Sequence, residues 1–191
     1  KLEDFDEYSD RTILSGTNWL ATHWAGVNIQ WYDYSSPKQY DISAMFQYPQ
    51  GVDVFEHGQL QSTHYDKHGK RVPIEEYYQR ISSSKILLAP FGYGEMAPRD
   101  LDAAQFGAVL IKPNMGFVDT IPNIFENEKT YIACKHDYSD LEEKIDMVLG
   151  NYKDYYYIID NARKKFEEQM DPKNLALYLY NMFKNKNLCK S

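Results

Sequence analysis

No stretch of about 18 consecutive apolar residues occurs in the sequence, and no signal-peptide pattern opens it, so neither a membrane-spanning helix nor a secretory leader is expected. Cysteine is scarce. Its two occurrences, Cys134 and Cys189, fit no metal or redox spacing, which makes a reducing, cytoplasmic setting the expectation, without a disulfide between them. Positive charge is in deficit as well: 21 Lys and Arg against 28 Asp and Glu leave a formal net charge of −7, which repels a nucleic-acid backbone. The densest basic run, Lys67 to Arg71, suffices for a phosphate and not for a duplex. The HExxH, aspartate-x-aspartate and paired-cysteine patterns of metal sites are missing too, so no metal is expected.

What is present is an ordinary globular balance, 43% apolar and 26% charged residues, in a length that suits one substantial domain or a domain with an appendage. Aromatic residues stand out, with 17 Tyr, 9 Phe and 3 Trp. Such rings suit stacking on sugars and bases, and they serve core packing equally well. Residues 1–72 read as an aromatic-rich segment. Its first part, Lys1 to Pro37, is irregular with at most short strands. QYDISAMFQY, from Gln39 to Tyr48, has the composition of a strand, ended by Pro49-Gln50-Gly51. From there to about Val72 the chain is polar, carries His57, His64 and His68, and reads as a loop.

Residues 73–191 change character. Pro73 followed by IEEYYQRISS opens a helix with proline and acidic residues in its first turn. SKILLAP and AVLIKP are continuous apolar runs, as strands buried on both faces are. Between them lies a helix from about Pro98 to Phe106, stopped by Gly107. Strand, Gly-bearing turn, helix and strand make a βαβ unit with a parallel sheet. NEKTYIAC then gives a short strand, and SDLEEKIDMVL a helix with a Ser139-x-x-Glu142 capping box. YKDYYYIIDNARKKFEEQM and DPKNLALYLYNMF add two helices, a helical tail against the sheet. The expected fold is therefore α/β, a Rossmann-like parallel sheet flanked by helices.

The chemistry concentrates in APFGYGEMAPRDLDAAQFGAVLIKP. Gly92 and Gly94 follow a buried strand at the carboxyl edge, where doubly wound sheets place ligands, and without side chains their amides can approach an anion. The next helix adds a positive N-terminal dipole. Arg99 in its first turn can clamp a diphosphate, and Asp102 one turn on can accept hydrogen bonds from two ribose hydroxyls. Lys112 and Arg71 are further sources of positive charge for a leaving group. Each residue also has a plain reading. The glycines can be a turn, Glu95 can simply favour the helix dipole, and Arg99 with Asp102 can be a surface ion pair worth about 0.3 kcal/mol. His57, His64 and His23 are candidate general bases or exposed loop residues.

Pro90, Gly92, Gly94, Arg99, Asp102-Ala103, Gly107 and the strand AVLI follow one another as in the donor-site signature of GT-B glycosyltransferases, and the run resembles the exostosin-like and group 1 families. The match covers roughly Ile74 to Phe166. The resemblance implies one GT-B half in which Arg99 contacts the donor diphosphate, Asp102 the ribose, and the loop Pro113 to Asp119, with Asn114, Met115 and Gly116, closes near diphosphate and sugar. It departs from retaining members, whose paired glutamates stand eight positions apart. Here Asp102 takes the second place, Gly94 stands at the first, and Glu95 comes one residue late.

The resulting expectation is a transferase of glycan biosynthesis that works without metal or other cofactor. It would take a sugar from a nucleotide diphosphate donor, a UDP- or GDP-sugar, to a hydroxyl of a glycan or glycoconjugate, with His57, His64 and Glu95 as catalytic candidates. About 70 residues before Pro73 are too few for a second Rossmann half, so the chain reads either as the donor half of a longer polypeptide or as a reduced enzyme whose acceptor side is built from residues 1–72. The rival readings are a nucleotide- or sugar-binding module without catalysis and an α/β interaction domain without a small ligand.

Overall fold

The computed structural model describes residues 30–44, 60–62, 73–91, 95–118, 120 and 123–185. Five strands, β1 (Tyr40–Ala44), β2 (Leu60–Ser62), β3 (Ser84–Leu88), β4 (Val109–Pro113) and β5 (Ile132–Cys134), form one parallel sheet in the order β2-β1-β3-β4-β5. The helices are α1 (Ile74–Ser82), α2 (Pro98–Phe106), α3 (Leu141–Gly150), α4 (Tyr156–Met170) and α5 (Pro172–Asn185), with a 3-10 turn at Tyr152–Tyr155. This is the helix-flanked, Rossmann-like α/β sheet that the alternation of apolar runs and helical periods implies.

Side chains alternate across each strand, and both faces are covered. Ile42, Ile86, Val109, Ile111, Ile132 and Cys134 pack on one face against Leu141, Ile145 and Val148 of α3 and Ile158 and Ile159 of α4. Leu87 and Leu110 point the other way, against Ile81 of α1 and Ala103 and Phe106 of α2. Helix α2 begins at Pro98, and the Oδ2 of Asp100 accepts the Ala97 N–H at 2.9 Å, satisfying one of the free amides of the first turn. It ends at Gly107, whose φ of +74° is the left-handed conformation that glycine supplies at helix ends. A Cβ there would stand 2.6 Å from Cβ of Tyr34, so the position is closed to side chains twice over.

Two expectations change, at β2 and at the start of α3. Leu60–Ser62 form a strand parallel to β1 inside the region read as loop. Three residues are too few for an alternation to register, and pairing with β1 is what makes them a strand. The sheet consequently runs across residues 72 and 73, because β1 pairs with β3. In the described part of the N-terminal segment, Trp31, Tyr32 and Tyr34 pack on Phe166, Phe106 and Tyr156. Tyr32 N donates to Gln105 O at 3.0 Å, which holds Tyr32 against the last turn of α2, while Trp31 packs beside Met96, Leu101 and Ile124. Finally, α3 starts at Leu141 with Asp140 as N-cap. Asp140 turns back to accept the Lys135 N–H at 2.7 Å, while the Ser139 amide is held by Asp137 at 3.0 Å. The Ser139 capping box is therefore not the one that opens the helix.

Candidate functional site at the carboxyl edge

Strand order reverses between β1 and β3, the place where doubly wound sheets bind ligands beyond their carboxyl ends. Leu88 pairs with Ile111, and Pro113 pairs with Cys134, so the segments leaving β3, β4 and β5 emerge side by side. Residues 92–94, which hold Gly92 and Gly94, lie outside the described residues, as do His23, His57, His64, Arg71 and Asp119.

The network behind this edge is built on Lys112. A lysine in a strand buried on both faces must carry its charge inward, and Lys112 is 1% exposed. Its Nζ donates to Asp100 Oδ2 and to the Glu95 carbonyl, each at 2.6 Å, and lies 4.6 Å from the Phe125 ring and 5.5 Å from that of Phe91. The charge expected to face a leaving group is thus neutralised by Asp100, and it ties β4 to the segment that enters α2. Burial pushes the Asp100 carboxyl up and the Lys112 ammonium down, with their ion pair opposing both. Among the described residues, Asp100 Oδ1 is buried without a hydrogen-bond partner. A buried ion pair contributes little net stability, whereas loss of one member is costly.

Asp102 is also buried, 7% exposed, and its Oδ2 accepts the Tyr77 hydroxyl at 2.7 Å. That burial removes the reading of Arg99 and Asp102 as a surface ion pair. Desolvation, opposed by the Tyr77 hydrogen bond, pushes the Asp102 carboxyl up to about 6. Arg99 is half-buried in the first turn of α2, and Glu95 is exposed just before it.

The loop after β4 satisfies its own backbone. Asn114 N donates to Cys134 O at 3.0 Å, Met115 N to the Tyr131 hydroxyl at 2.9 Å, Gly116 N to Asn114 Oδ1 at 2.9 Å and Val118 N to Met115 O at 3.1 Å. Met115 is buried in the core on that side. The loop presents Phe117, 62% exposed, and its ring meets Phe91 from the β3 exit and His136 from the β5 exit. Centroid separations are 6.3 Å for Phe91–Phe117, 5.2 Å for Phe117–His136 and 5.6 Å for Phe91–His136.

Asp100, Tyr77, Phe91, Phe117 and His136 were not singled out by the sequence reading. Asp100 had a signal: a lysine in a run read as buried on both faces requires a carboxylate nearby, and Asp100 stands between the two residues that were chosen. The aromatic corner had none, because its rings come from three separate loops. Among the described residues no three His, Cys, Asp or Glu gather as a metal site, and no helix is long and apolar enough to cross a membrane.

The sequence matches no known family profile and no curated protein. Among the solved structures that match is HepE from Anabaena in complex with UDP, similar over 64% of this chain and 32% of its own, at 12% identity and a TM-score of 0.43. The chain spans about a third of that protein's length, and a likeness so distant carries neither fold nor function across.

Proposed function

We propose that this chain binds a nucleotide diphosphate sugar at the carboxyl edge and serves as the donor half of a GT-B glycosyltransferase, passing the sugar to a hydroxyl of a glycan or glycoconjugate. The observation that carries the reading is placement: the segment before α2 and the loop after β4 leave adjacent strands beside the reversal of strand order, with Arg99 in the first turn of α2. The sequence resemblance assigns the diphosphate to that turn. Arg99 and the helix dipole supply the positive charge, while Lys112 and Asp100 hold the helix entry to β4. Asp102 meets the ribose through the oxygen that Tyr77 does not occupy.

The test is calorimetric titration of the full chain with UDP, GDP and inorganic diphosphate. Arg99→Ala should weaken nucleoside diphosphate binding by about 2 kcal/mol, roughly thirtyfold. A folded Arg99→Ala protein that binds as tightly as the parent removes the donor-site assignment. Binding with neither transfer nor donor hydrolysis makes the chain a binding module instead.

A further inference from the structure

Exposed aromatic residues are ordinary when they occur singly. At the carboxyl edge three rings from three loops meet, and the loop that holds Phe117 is fixed. All four described backbone amides flanking Phe117, those of Asn114, Met115, Gly116 and Val118, are engaged within the fold. Phe117 therefore stands 62% in solvent because the loop places it there. On the third side, Tyr138 N bonds Lys135 O at 3.0 Å and Asp140 Oδ1 takes the Lys135 amide at 2.7 Å, which fixes the turn that carries His136.

The rings meet edge to face, 62° between Phe91 and Phe117 and 63° between Phe117 and His136. They form a corner with one open aromatic face and an imidazole at its rim. A nucleobase stacks best in a parallel slot. A pyranose is thicker, with an apolar C–H face and hydroxyls around its edge, and it suits an open face flanked by a hydrogen-bonding group. We infer that Phe91, Phe117 and His136 form a sugar subsite, in which a pyranose lies on Phe117 and one of its hydroxyls meets the imidazole of His136. Phe91 is the residue before Gly92, so the subsite borders the diphosphate position. The inference rests on the donor-site reading only for the source of the sugar, donor or acceptor.

The experiment measures affinity of the parent, Phe117→Ala and Phe117→Tyr for four probes: UDP, UDP-glucose, methyl glucoside and uridine. GDP and GDP-mannose are run alongside. Phe117→Ala should weaken a sugar-bearing probe about five- to tenfold while UDP and uridine bind as before, and Phe117→Tyr should restore it. Loss confined to the nucleotide sugar assigns the corner to the donor sugar. Loss confined to methyl glucoside assigns it to the acceptor. Equal loss for UDP and uridine, or no loss for any probe, overturns the subsite. If the parent binds no nucleotide, the donor-site reading fails by itself, and the corner is judged by NMR signals of the Phe117 and His136 rings. Movement with methyl glucoside and not with uridine upholds it; movement with uridine alone, or with neither, ends it.

Discussion

The two faces of the sheet are equally dry and chemically opposite. Ile42, Ala44, Ile86, Leu88, Val109, Ile111, Ile132 and Cys134 meet α3 and α4 with hydrocarbon and one thiol. One residue along each strand, the other face brings Ser43 and Lys112 together with Leu87 and Leu110, and the helix over it adds Asp100 and Asp102. Ser43 is 0% exposed and its hydroxyl has no partner among the described residues. Burial stabilises the first face directly. On the second, each charge is tolerated only through its partner, and the charges lie toward the carboxyl ends, under the candidate site. One face holds the fold, and the other trades stability for placement.

Breaking the polar face at its centre should cost most. Lys112→Met leaves Asp100 buried without its countercharge and should lose about 3–5 kcal/mol in urea unfolding. Lys112→Met with Asp100→Asn, which keeps an acceptor for Ala97, should regain more than half. A neutral single variant would mean that the pair does not organise this face.

On the apolar face, Ile86→Ala should cost about 3 kcal/mol through lost transfer energy and a cavity. That loss should be the same at pH 5 and pH 8, because the residues clustered with Ile86 on this face are hydrophobic.

Asp102 sets the contrast in pH. Its folded carboxyl is raised to about 6 from an ordinary value near ~3.9, so between these values the folded state holds a proton that the unfolded state has released. Its contribution to stability is full below about pH 4 and is lost as pH rises to about 6, on the order of 2–3 kcal/mol. Asp102→Asn should flatten the stability curve in that window, whereas Ile86→Ala should only lower it. Denaturant midpoints from pH 4 to 7 decide between the two shapes.

The smallest effect is expected for Tyr77→Phe, about 1 kcal/mol. Because the Tyr77 hydroxyl favours the ionised carboxylate, its removal should move the Asp102 titration above about 6. Carboxyl carbon shifts followed by NMR would read this, and an unmoved titration would show that the hydrogen bond does not bias the group.

The apolar face was legible in the sequence, since SKILL and AVLI announce buried strands and Gly107 announces the end of α2. The polar face was legible only in part. The sequence marks Arg99 and Asp102 by what they can offer a ligand, and the fold spends one oxygen of Asp102 on Tyr77, 25 residues away in sequence. The strand pattern leaves Lys112 as available charge, because it specifies which face a residue takes and not what waits there. The partner, Asp100, comes from the crossover helix. Strand β2 was lost for a related reason: its three residues become a strand through β1, and no local pattern records that pairing.

The pairing of β1 with β3 also bears on how this chain can be handled. Among the described residues both outer strands of the sheet, Leu60–Ser62 and Ile132–Cys134, are three residues long, and short margins give another polypeptide little to add to. A chain cut at Pro73 would lose β1 and β2 and turn β3 into the margin. The main-chain groups of Ser84–Leu88 that now bond β1 would be bare along an apolar strand, a template for intermolecular β-assembly. Insolubility of such a fragment would follow from that exposed ladder alone.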